Sequence, residues 1–565
     1  MRNNENIAIL KCPYTIRTTK SGAASINIGH AIAILEQECQ LENRVFYFDY
    51  NNTNFFYYSR AVAELIEKDY DFFEGLLPTE RLSLIERITC ERYFQLEESI
   101  DEKLEIDLEI GAKLLKILIL VYSEFIDSML EKKCSTFLVY VSPVITYQLI
   151  LIDLIRKREP NAKIIVMDDY TFEPATPYYV AIITGEDNKC RKIGNVYDQD
   201  PLIYKLKSKI IDILDVIVVG EGYDFIRQYF NRSQANNPLR VSVYNKELHL
   251  IEEGTRIEID DDFKEKCYIV SSGRIDLDTL PFPNFDQMKD IYEFAEIEFT
   301  RGCNYKCLFC ERSNMMENVL SRHSIEYIIR ELEYIKQYQF KYLTIIDCCL
   351  NIDEAYTIEV LEEIKKRGIH FKYQSNLRGK EPNENLLKLL QQTGCVEVAF
   401  GIETTDEDVL RSMNKEQNLQ IISQLTSAVH KYDMRLMIFL IIGYPTEKKE
   451  AAKRTLDFII ELNKITKIDI IELEFYRAGH IQALSPKVYP YFGTNISNNI
   501  DRNSLKNSSY LYAEPGFLGL ATYEKGMSRS ELASAIEDYV ETCKANDISL
   551  ATFYYKKGYS ALSNG

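Results

Sequence analysis

Three closely spaced cysteines follow an apolar stretch near the middle of the chain. The stretch, residues 294–299, has the composition of a strand, and a glycine turn then leads to Cys303, Cys307 and Cys310 in a C-x3-C-x2-C pattern. Three thiolates at this spacing form a compact set of soft ligands that suits iron–sulfur chemistry. A zinc knuckle normally needs a fourth Cys or His at short spacing, and the nearest histidine, His323, lies thirteen residues further on. The pattern therefore favours a four-iron cluster with one iron left open.

The composition is that of an ordinary globular protein with an acidic balance. With 565 residues, of which 46% are hydrophobic and 27% charged, the chain can form two or three domains. Its net charge of −19 argues against nucleic acid as a main partner, because such binders neutralise phosphates with Lys and Arg. We expect no membrane span and no secretory signal, since no apolar run approaches ~18–20 residues. Thirteen cysteines without a disulfide framework predict a cytoplasmic protein.

Strands and helices alternate through the first half of the chain. This alternation predicts right-handed crossovers and a doubly wound, Rossmann-like parallel sheet over residues 1–240, with a helical insertion at 59–133. Hairpin strands and an extended Pro-rich linker are predicted over 241–289. The sheet strands are predicted at 6–12, 44–49, 135–141, 162–167 and 215–219, the last being the final strand of the sheet.

From residue 290 the alternation restarts and gives six βα units. Six units are fewer than the eight of a closed barrel, so we predict a partial (β/α)6 barrel with an open side over 290–490. A small α+β region follows at 491–565, where the only cysteine is Cys543, so no second cluster is expected there. The six strands are predicted at 294–299, 342–346, 370–374, 396–400, 435–442 and 469–475.

The cysteine loop, with Phe309 immediately before its last cysteine, resembles the signature of the radical S-adenosylmethionine (SAM) enzymes. The six βα units resemble the partial barrel of the same family. In that family the open iron of a [4Fe-4S] cluster binds the amino and carboxylate groups of SAM. Reduction then cleaves SAM to methionine and a 5′-deoxyadenosyl radical, which abstracts hydrogen from the substrate. The resemblance implies both cofactors and a reductant such as flavodoxin or ferredoxin.

The first half resembles, in arrangement, the cobalamin-binding domain that precedes many radical SAM cores. The matching features are the Gly-Glu-Gly sequence at 220–222 and the Leu-Pro-Phe-Pro joint at 280–283. Two departures stand against a working corrinoid site. No D-x-H-x-x-G motif supplies an axial histidine, and Asp168 and Asp169 stand where paired glycines usually let a corrinoid approach the backbone. Cobalamin binding and a Rossmann-like domain without a ligand both stay open.

In a parallel barrel the functional groups lie at the carboxyl ends of the strands, and the resemblance implies SAM contacts there. Arg378 matches the position that holds the SAM carboxylate, with a surface arginine as the alternative. Glu403, in Gly-Ile-Glu-Thr, resembles the element that contacts SAM, and the turn from Gly443 to Glu447 resembles the one that passes the adenine. Asp347 is a candidate for binding the methionine amino group, with helix capping as the alternative.

Cys348 and Cys349 stand where relatives more often have a second acidic residue. A thiol beside the radical can donate a hydrogen atom to a substrate carbon radical, and the net reaction is then an epimerisation. The alternative is the packing of two small side chains, the usual role of a free cysteine and the role predicted for Cys395. Further candidates for substrate contact are Arg301, Tyr476, Arg477 and His480.

Three functions follow from these features. The first is a radical SAM enzyme that abstracts hydrogen from a peptide or other natural product, with epimerisation of a ribosomal peptide as an example that rests on analogy of fold. The alternative is a cobalamin-dependent radical SAM C-methyltransferase. From another class, a non-catalytic iron–sulfur scaffold or sensor would have the cluster without cleaving SAM.

Overall fold

The computed structural model describes the chain in ten main segments and a few single positions between them. Within these segments, the strands form two eight-stranded sheets and one two-stranded ribbon. No helix among the described residues is both long enough and apolar enough to cross a membrane. The segments are 5–12, 23–49, 105–141, 145–168, 209–231, 238–247, 249–255, 265–310, 319–475 and 526–551.

The N-terminal sheet has a parallel part in the order β3-β1-β4-β5-β6. Its strands are short apolar runs whose residues are almost all buried, because helices cover both faces. The predicted alternation is therefore confirmed. In chain order the elements are β1 (Asn6–Lys11), β2 (Ala23–Ala24), α1 (Ile26–Ala33), β3 (Val45–Asp49), α2 (Glu105–Glu131), β4 (Cys134–Val141), α3 (Ile145–Arg158), β5 (Lys163–Asp168), β6 (Val216–Val219) and α4 (Tyr223–Asn231).

The predicted hairpin strands belong to this same sheet. They are β7 (Arg240–Asn245), β8 (Leu250–Gly254) and β9 (Lys266–Ser271). Strand β9 pairs in parallel with β6, and β7 pairs antiparallel with both β8 and β9. The expectation that the sheet ends at residues 215–219 is therefore wrong. The alternating hairpin pattern gave no sign of the parallel partner, which lies earlier in the chain.

The second sheet contains the six predicted barrel strands as parallel neighbours in chain order. The third strand begins three residues later than predicted and ends at Leu377. The elements are β10 (Phe294–Ile297), β11 (Thr300–Gly302) and β12 (Leu320–Arg322), which form the ribbon, then α5 (Ile325–Ile335), β13 (Tyr342–Ile345), α6 (Glu354–Lys366), β14 (Tyr373–Leu377), α7 (Glu384–Thr393), β15 (Cys395–Glu403), α8 (Glu407–Ser412), α9 (Leu419–Lys431), β16 (Arg435–Ile442), α10 (Lys449–Ile465) and β17 (Ile470–Phe475).

Two short strands from outside the predicted barrel complete its sheet. Strand β2 pairs with β10 at one edge, and β18 (Ser549–Ala551) pairs with β17 at the other. The helix before β18, α11 (Arg529–Ala545), begins with a capping box formed by Ser528 and Glu531. The barrel sheet thus includes residues from both sides of the predicted 290–490 range.

The two halves of the chain share a hydrophobic core. One continuous cluster of buried apolar side chains runs from Ile7 to Ile548, and a second lies under α2 and α3 on the other face of the N-terminal sheet. The Pro-rich linker packs directly on α1, since the peptide N–H of Asn284 donates to the carbonyl of Gly29 at 2.9 Å. A Cβ on Gly29 would lie 2.7 Å from the Cβ of Pro283, so glycine is needed for this close approach.

Candidate active site

The cysteine loop follows β10 and β11 at the carboxyl end of the barrel sheet. Cys303 and Cys307 are buried and Cys310 is partly exposed. Two hydrogen bonds tie the loop to the connection after α8: the peptide N–H of Leu308 donates to Met413 O at 2.8 Å, and Asn414 Nδ2 donates to Lys306 O at 2.7 Å. The loop is thereby held against the region that follows the fourth barrel strand.

Arg378 lies beside the cysteine loop, immediately after β14. Its Nη1 is 3.6 Å from Cys307 Sγ, and its guanidinium carbon is 3.7 Å from the centre of the Tyr305 ring. Asn351 holds the Arg378 backbone through two hydrogen bonds, at 2.7 and 2.9 Å. The guanidinium is therefore a fixed positive charge beside the cysteine loop. Sequence reasoning missed Tyr305 and Asn351, which have no motif of their own.

Three thiols on one loop, one of them 3.6 Å from a fixed cation, suit the ligand set of an iron–sulfur cluster. Among the described residues, no group of three or more His, Cys, Asp or Glu side chains is gathered tightly enough to hold a single metal ion. The assignment of Cys303, Cys307 and Cys310 as cluster ligands therefore stays a prediction.

Cys348 and Cys349 follow the end of β13, and Cys349 contacts the cysteine loop. Cys349 is buried, and a hydrogen bond to the Cys303 side chain, together with burial, raises the pKa of its thiol well above the ordinary value. Cys348 is partly exposed next to it. The structure thus brings the Cys349 thiol to the cysteine loop, while the role of either thiol as a hydrogen-atom donor stays a prediction.

Asp347 binds the backbone of the first barrel strand's end. Its Oδ1 accepts from Phe299 N at 2.8 Å, and its Oδ2 accepts from Thr300 N at 2.8 Å and Thr300 Oγ1 at 2.6 Å. Burial raises the pKa of Asp347 to about 7, against the lowering effect of these hydrogen bonds. The carboxylate joins the ends of two neighbouring strands. This differs from the helix cap considered above, and binding of the SAM amino group stays a prediction.

Glu403 forms a buried ion pair with Lys415 at the end of β15. The Lys415 Nζ lies 2.6 Å from Glu403 Oε1 and 3.0 Å from Gly401 O, and it is 5.5 Å from the centre of the Phe309 ring. Glu403 has a φ of +61°, and a Cβ on Gly401 would lie 2.0 Å from its Oε1. A side chain at position 401 would therefore displace the Glu403 carboxylate from its present position. Lys415 was missed because its partner is fixed by the turn rather than by a readable spacing.

Glu447 supports the turn that begins at Gly443. Its Oε2 accepts from Gly443 N at 2.7 Å, and its own N–H donates to Tyr444 O at 2.8 Å. Burial raises the pKa of Glu447 to about 8. Gly443 has a φ of +83°, and a Cβ there would be 3.3 Å from Leu532 of α11. Contact of this turn with SAM stays a prediction, with Glu447 shaping the backbone of the turn.

Arg301 does not face a substrate, contrary to the expectation from the sequence. It is 4% exposed and pairs with Glu298 and with Glu221, the latter at 3.3 Å. A residue next to a motif is readily assigned to the site, but here the short ribbon turns the side chain into the protein. The other three candidates for substrate contact, Tyr476, Arg477 and His480, lie outside the described residues.

Two glycines at the carboxyl edge of the N-terminal sheet are in close contact with neighbouring residues of the same half. A Cβ on Gly220 would lie 2.2 Å from Ser272 O, and one on Gly222 would lie 2.4 Å from Met167 Cε. Asp168 is buried and accepts from Thr176 N at 2.8 Å, while Asp169 lies outside the described residues. These contacts within the N-terminal half account for the glycines without a corrinoid, so cobalamin binding stays a prediction.

The cysteine loop and the parallel strands after it lie within a known sequence family. Residues 297–459 match the model of the Radical SAM superfamily. These residues are a radical SAM domain. The arrangement of this domain behind an α/β domain is shared with a solved structure described as the cobalamin-dependent S-adenosylmethionine radical enzyme OxsB with aqua-cobalamin and S-adenosylmethionine bound. The two share 13% identity with a TM-score of 0.50, over 96% of this chain and 62% of that one. This likeness confirms the predicted fold class.

Curated relatives of the radical SAM domain include methyltransferases. Over 194 residues the chain is 26% identical to an uncharacterized methyltransferase of Pyrococcus horikoshii, covering 33% of this chain and 42% of the relative. Over 185 residues it is 24% identical to the bacteriochlorophyllide d C-12(1)-methyltransferase of Chlorobaculum tepidum, covering 32% and 40%. The chain thus spans about two-fifths of the length of these relatives.

Proposed function

We propose that this chain is a radical SAM enzyme that methylates a carbon of its substrate with cobalamin as a second cofactor. The observation that carries the proposal is the contact between Glu221, at the carboxyl edge of the N-terminal sheet, and Arg301, two residues before Cys303. Open α/β sheets bind ligands at the carboxyl ends of their strands. A ligand at the carboxyl edge of the N-terminal sheet would therefore lie near the cysteine loop of the barrel. Methyltransferases among the curated relatives support this reading over the epimerisation expected first.

Within the barrel, each side chain has a task that its surroundings support. Cys303, Cys307 and Cys310 would hold the [4Fe-4S] cluster, which supplies the electron that cleaves SAM. Arg378 lies beside Cys307 and offers a guanidinium to the SAM carboxylate. Glu403, charge-balanced by Lys415, offers acceptors to the ribose or amino group of SAM.

Two further residues act on the backbone around the site. Asp347 and Glu447 hold the strand ends and the Gly443 turn in place through buried hydrogen bonds. These residues would keep the cysteine loop and the Gly443 turn in a fixed shape for binding SAM. We propose a peptide or small natural product as the substrate and a flavodoxin or ferredoxin as the reductant.

The central experiment separates the two cofactor assignments. Wild-type protein is reconstituted anaerobically with iron, sulfide and hydroxocobalamin, gel-filtered, and supplied with SAM and dithionite. We expect iron–sulfur and corrinoid absorbance and the formation of 5′-deoxyadenosine. The Cys303→Ala variant should lose the iron–sulfur absorbance. The Cys395→Ala variant should retain it, because Cys395 is buried at the start of β15, away from the proposed site.

Each result of that experiment has a separate meaning. Iron–sulfur absorbance that persists in Cys303→Ala would overturn the assignment of the cluster ligands. A cluster without corrinoid absorbance would overturn cobalamin-dependent methylation but leave SAM cleavage intact. Iron–sulfur absorbance without the formation of 5′-deoxyadenosine would favour the non-catalytic scaffold or sensor.

A second candidate function is epimerisation with a thiol as hydrogen-atom donor, favoured by the contact between Cys349 and Cys303. Because Cys349 is directed at a proposed cluster ligand, the partly exposed Cys348 is the better donor. In deuterated water, a donated thiol hydrogen would label the substrate carbon. Cys348→Ala should abolish the label while SAM cleavage continues. Equal labelling in Cys348→Ala, Cys349→Ala and wild type would contradict this candidate.

A further inference from the structure

A buried group of charged side chains joins the two halves of the protein just before the first proposed cluster ligand. We name it the interdomain charge cluster. Arg301 lies on β11, Glu298 lies between β10 and β11, and Glu221 follows β6 in the N-terminal sheet. The exposed fractions are 4%, 2% and 8%, respectively, so all three side chains lie away from bulk water.

The geometry makes Arg301 the link between the other two. Its Nε donates to Glu298 Oε2 at 3.0 Å and its Nη2 pairs with Glu298 Oε1, which fixes the plane of the guanidinium. Its Nη1 then faces Glu221 Oε2 at 3.3 Å. Glu221 is itself fixed, because Oε2 also accepts from Ile275 N at 3.2 Å. The ring of Tyr223 lies over the guanidinium, 5.7 Å from its carbon to the ring centre.

A second contact ties the linker to the same carboxylate. His323, which is stacked on Tyr327, has Nδ1 3.3 Å from Asp278 Oδ1 and Nε2 3.8 Å from Glu298 Oε1. Asp278 belongs to the linker between the halves, and its Oδ1 also accepts from Ser324 N at 2.9 Å. Glu298 is thus approached from the ribbon and from the side of the linker.

The positive charge of Arg301 and the carboxylates of Glu298 and Glu221 interact in a buried, low-dielectric environment. Burial alone would raise the pKa of Glu298, but Arg301 and His323 hold it well below its ordinary value, so Glu298 is ionised. Burial raises the pKa of Glu221, and Arg301 opposes that rise. A buried ion group of this kind adds little net stability, because desolvation offsets the attraction between its charges. Within this group, Arg301 is separated from Cys303 by Gly302 alone. This position points to an effect on the proposed iron–sulfur cluster.

We propose that Arg301 is a positioning residue through which Glu221 of the N-terminal half sets the placement and the electrostatic environment of the cluster loop. This inference rests on the proposed function, because it takes Cys303, Cys307 and Cys310 as the ligands of a cluster. Nearby charges and hydrogen bonds tune the reduction potential of such clusters. Reduction adds an electron, so a buried carboxylate on this side of the loop makes the potential more negative.

The test is a redox titration of the reconstituted full-length protein, followed by the electron paramagnetic resonance signal of the reduced cluster. We expect Glu221→Gln to raise the midpoint potential and to alter the signal, because one negative charge is lost and Arg301 is released. Asp215→Asn is the matched control. Asp215 precedes the same strand β6, is buried, and pairs with Arg156 at 2.7 Å. It makes the same kind of contact at the opposite end of the strand, so its loss should leave the potential unchanged.

Glu221→Asp distinguishes positioning from general stability. It retains the charge but withdraws it by one methylene, so we expect a potential closer to wild type than that of Glu221→Gln, and it serves as the test if the glutamine variant does not fold. Equal potentials in wild type and Glu221→Gln, or equal shifts in Glu221→Gln and Asp215→Asn, would overturn the inference while SAM cleavage by wild type still supports the proposed function. Wild-type protein that binds no cluster would overturn both.

Discussion

Lys415 and Glu403 show how a single ion pair can control a site. The lysine ammonium and the glutamate carboxylate are 7% and 9% exposed, and Glu403 has a left-handed backbone conformation. Lys415→Ala leaves a carboxylate buried and unpaired, which typically costs about 3–5 kcal/mol. We therefore expect a large fall in the free energy of unfolding, measured by urea denaturation.

The matched control for this change is Lys431→Ala. Lys431 pairs with Glu384 at 3.0 Å, but both side chains are more than half exposed. Water and salt screen such a pair, so the free energy of unfolding should hardly change. Similar losses in the two variants would contradict the role of burial.

Glu447 predicts a pH dependence of stability. Its pKa in the folded protein is about 8, above the ordinary value of 4.5. Between these values the folded state keeps a proton that the unfolded state releases, so the free energy of unfolding falls as pH rises from about 4.5 towards 8. Glu447→Gln should flatten this slope, as measured by urea denaturation at pH 5, 6, 7 and 8. Glu450→Gln, on the exposed face of α10, is the control and should keep the wild-type slope.

At the scale of elements, a carboxylate on the first barrel strand binds the N-terminus of helix α1. Glu296 on β10 is 4% exposed, and its Oε2 accepts from Ile26 N at the first turn of α1, at 3.2 Å. A carboxylate is favourable at a helix N-terminus, and a buried N–H that loses its acceptor costs about 1–3 kcal/mol. Glu296→Ala should lower the free energy of unfolding by that amount and speed hydrogen exchange at Ile26.

The control for Glu296 is Glu293, which immediately precedes the same strand, β10. Glu293 is 66% exposed and its carboxylate is 3.7 Å from Lys341. Glu293→Ala should leave both the stability and the exchange rate at Ile26 close to wild type. If exchange at Ile26 is unchanged in Glu296→Ala, the helix is held in another way.

The elements that the sequence could predict are those with a strong local pattern. Most barrel strands are largely apolar runs between helical segments, so their composition and spacing suffice. The exception is β14, Tyr-Gln-Ser-Asn-Leu, whose polar residues weaken the pattern and whose start lies three residues later than predicted. Strand β2 contains only Ala23 and Ala24, which is too short for any periodicity. The same difference separates the site residues. The cysteine loop is a local motif, whereas Glu221, one of the two carboxylates paired with Arg301, comes from the other half of the chain and depends on how the two sheets pack.

At the scale of the whole molecule, the shared core predicts cooperative unfolding. One cluster of buried apolar side chains includes residues of both halves, and β2 pairs with a barrel strand. We expect one thermal transition by calorimetry, with the two halves unfolding at the same midpoint. The chain has no tryptophan, so Tyr244→Trp and Tyr432→Trp provide a fluorescent probe in each half. Separate midpoints for the two probes would show that the halves unfold independently.

The pairing of β2 with β10 has a consequence for how the protein is made. The residues of this contact lie about 270 positions apart, as the Ile26–Glu296 bond shows. At roughly 5–20 residues per second, a ribosome needs more than ten seconds to synthesise the intervening chain. Until then, Ala23 and Ala24 have no strand to join, and the edge of β10 is absent. The barrel sheet is therefore not the product of its own segment alone, because one edge strand, β2, leaves the ribosome long before the neighbour that it pairs with.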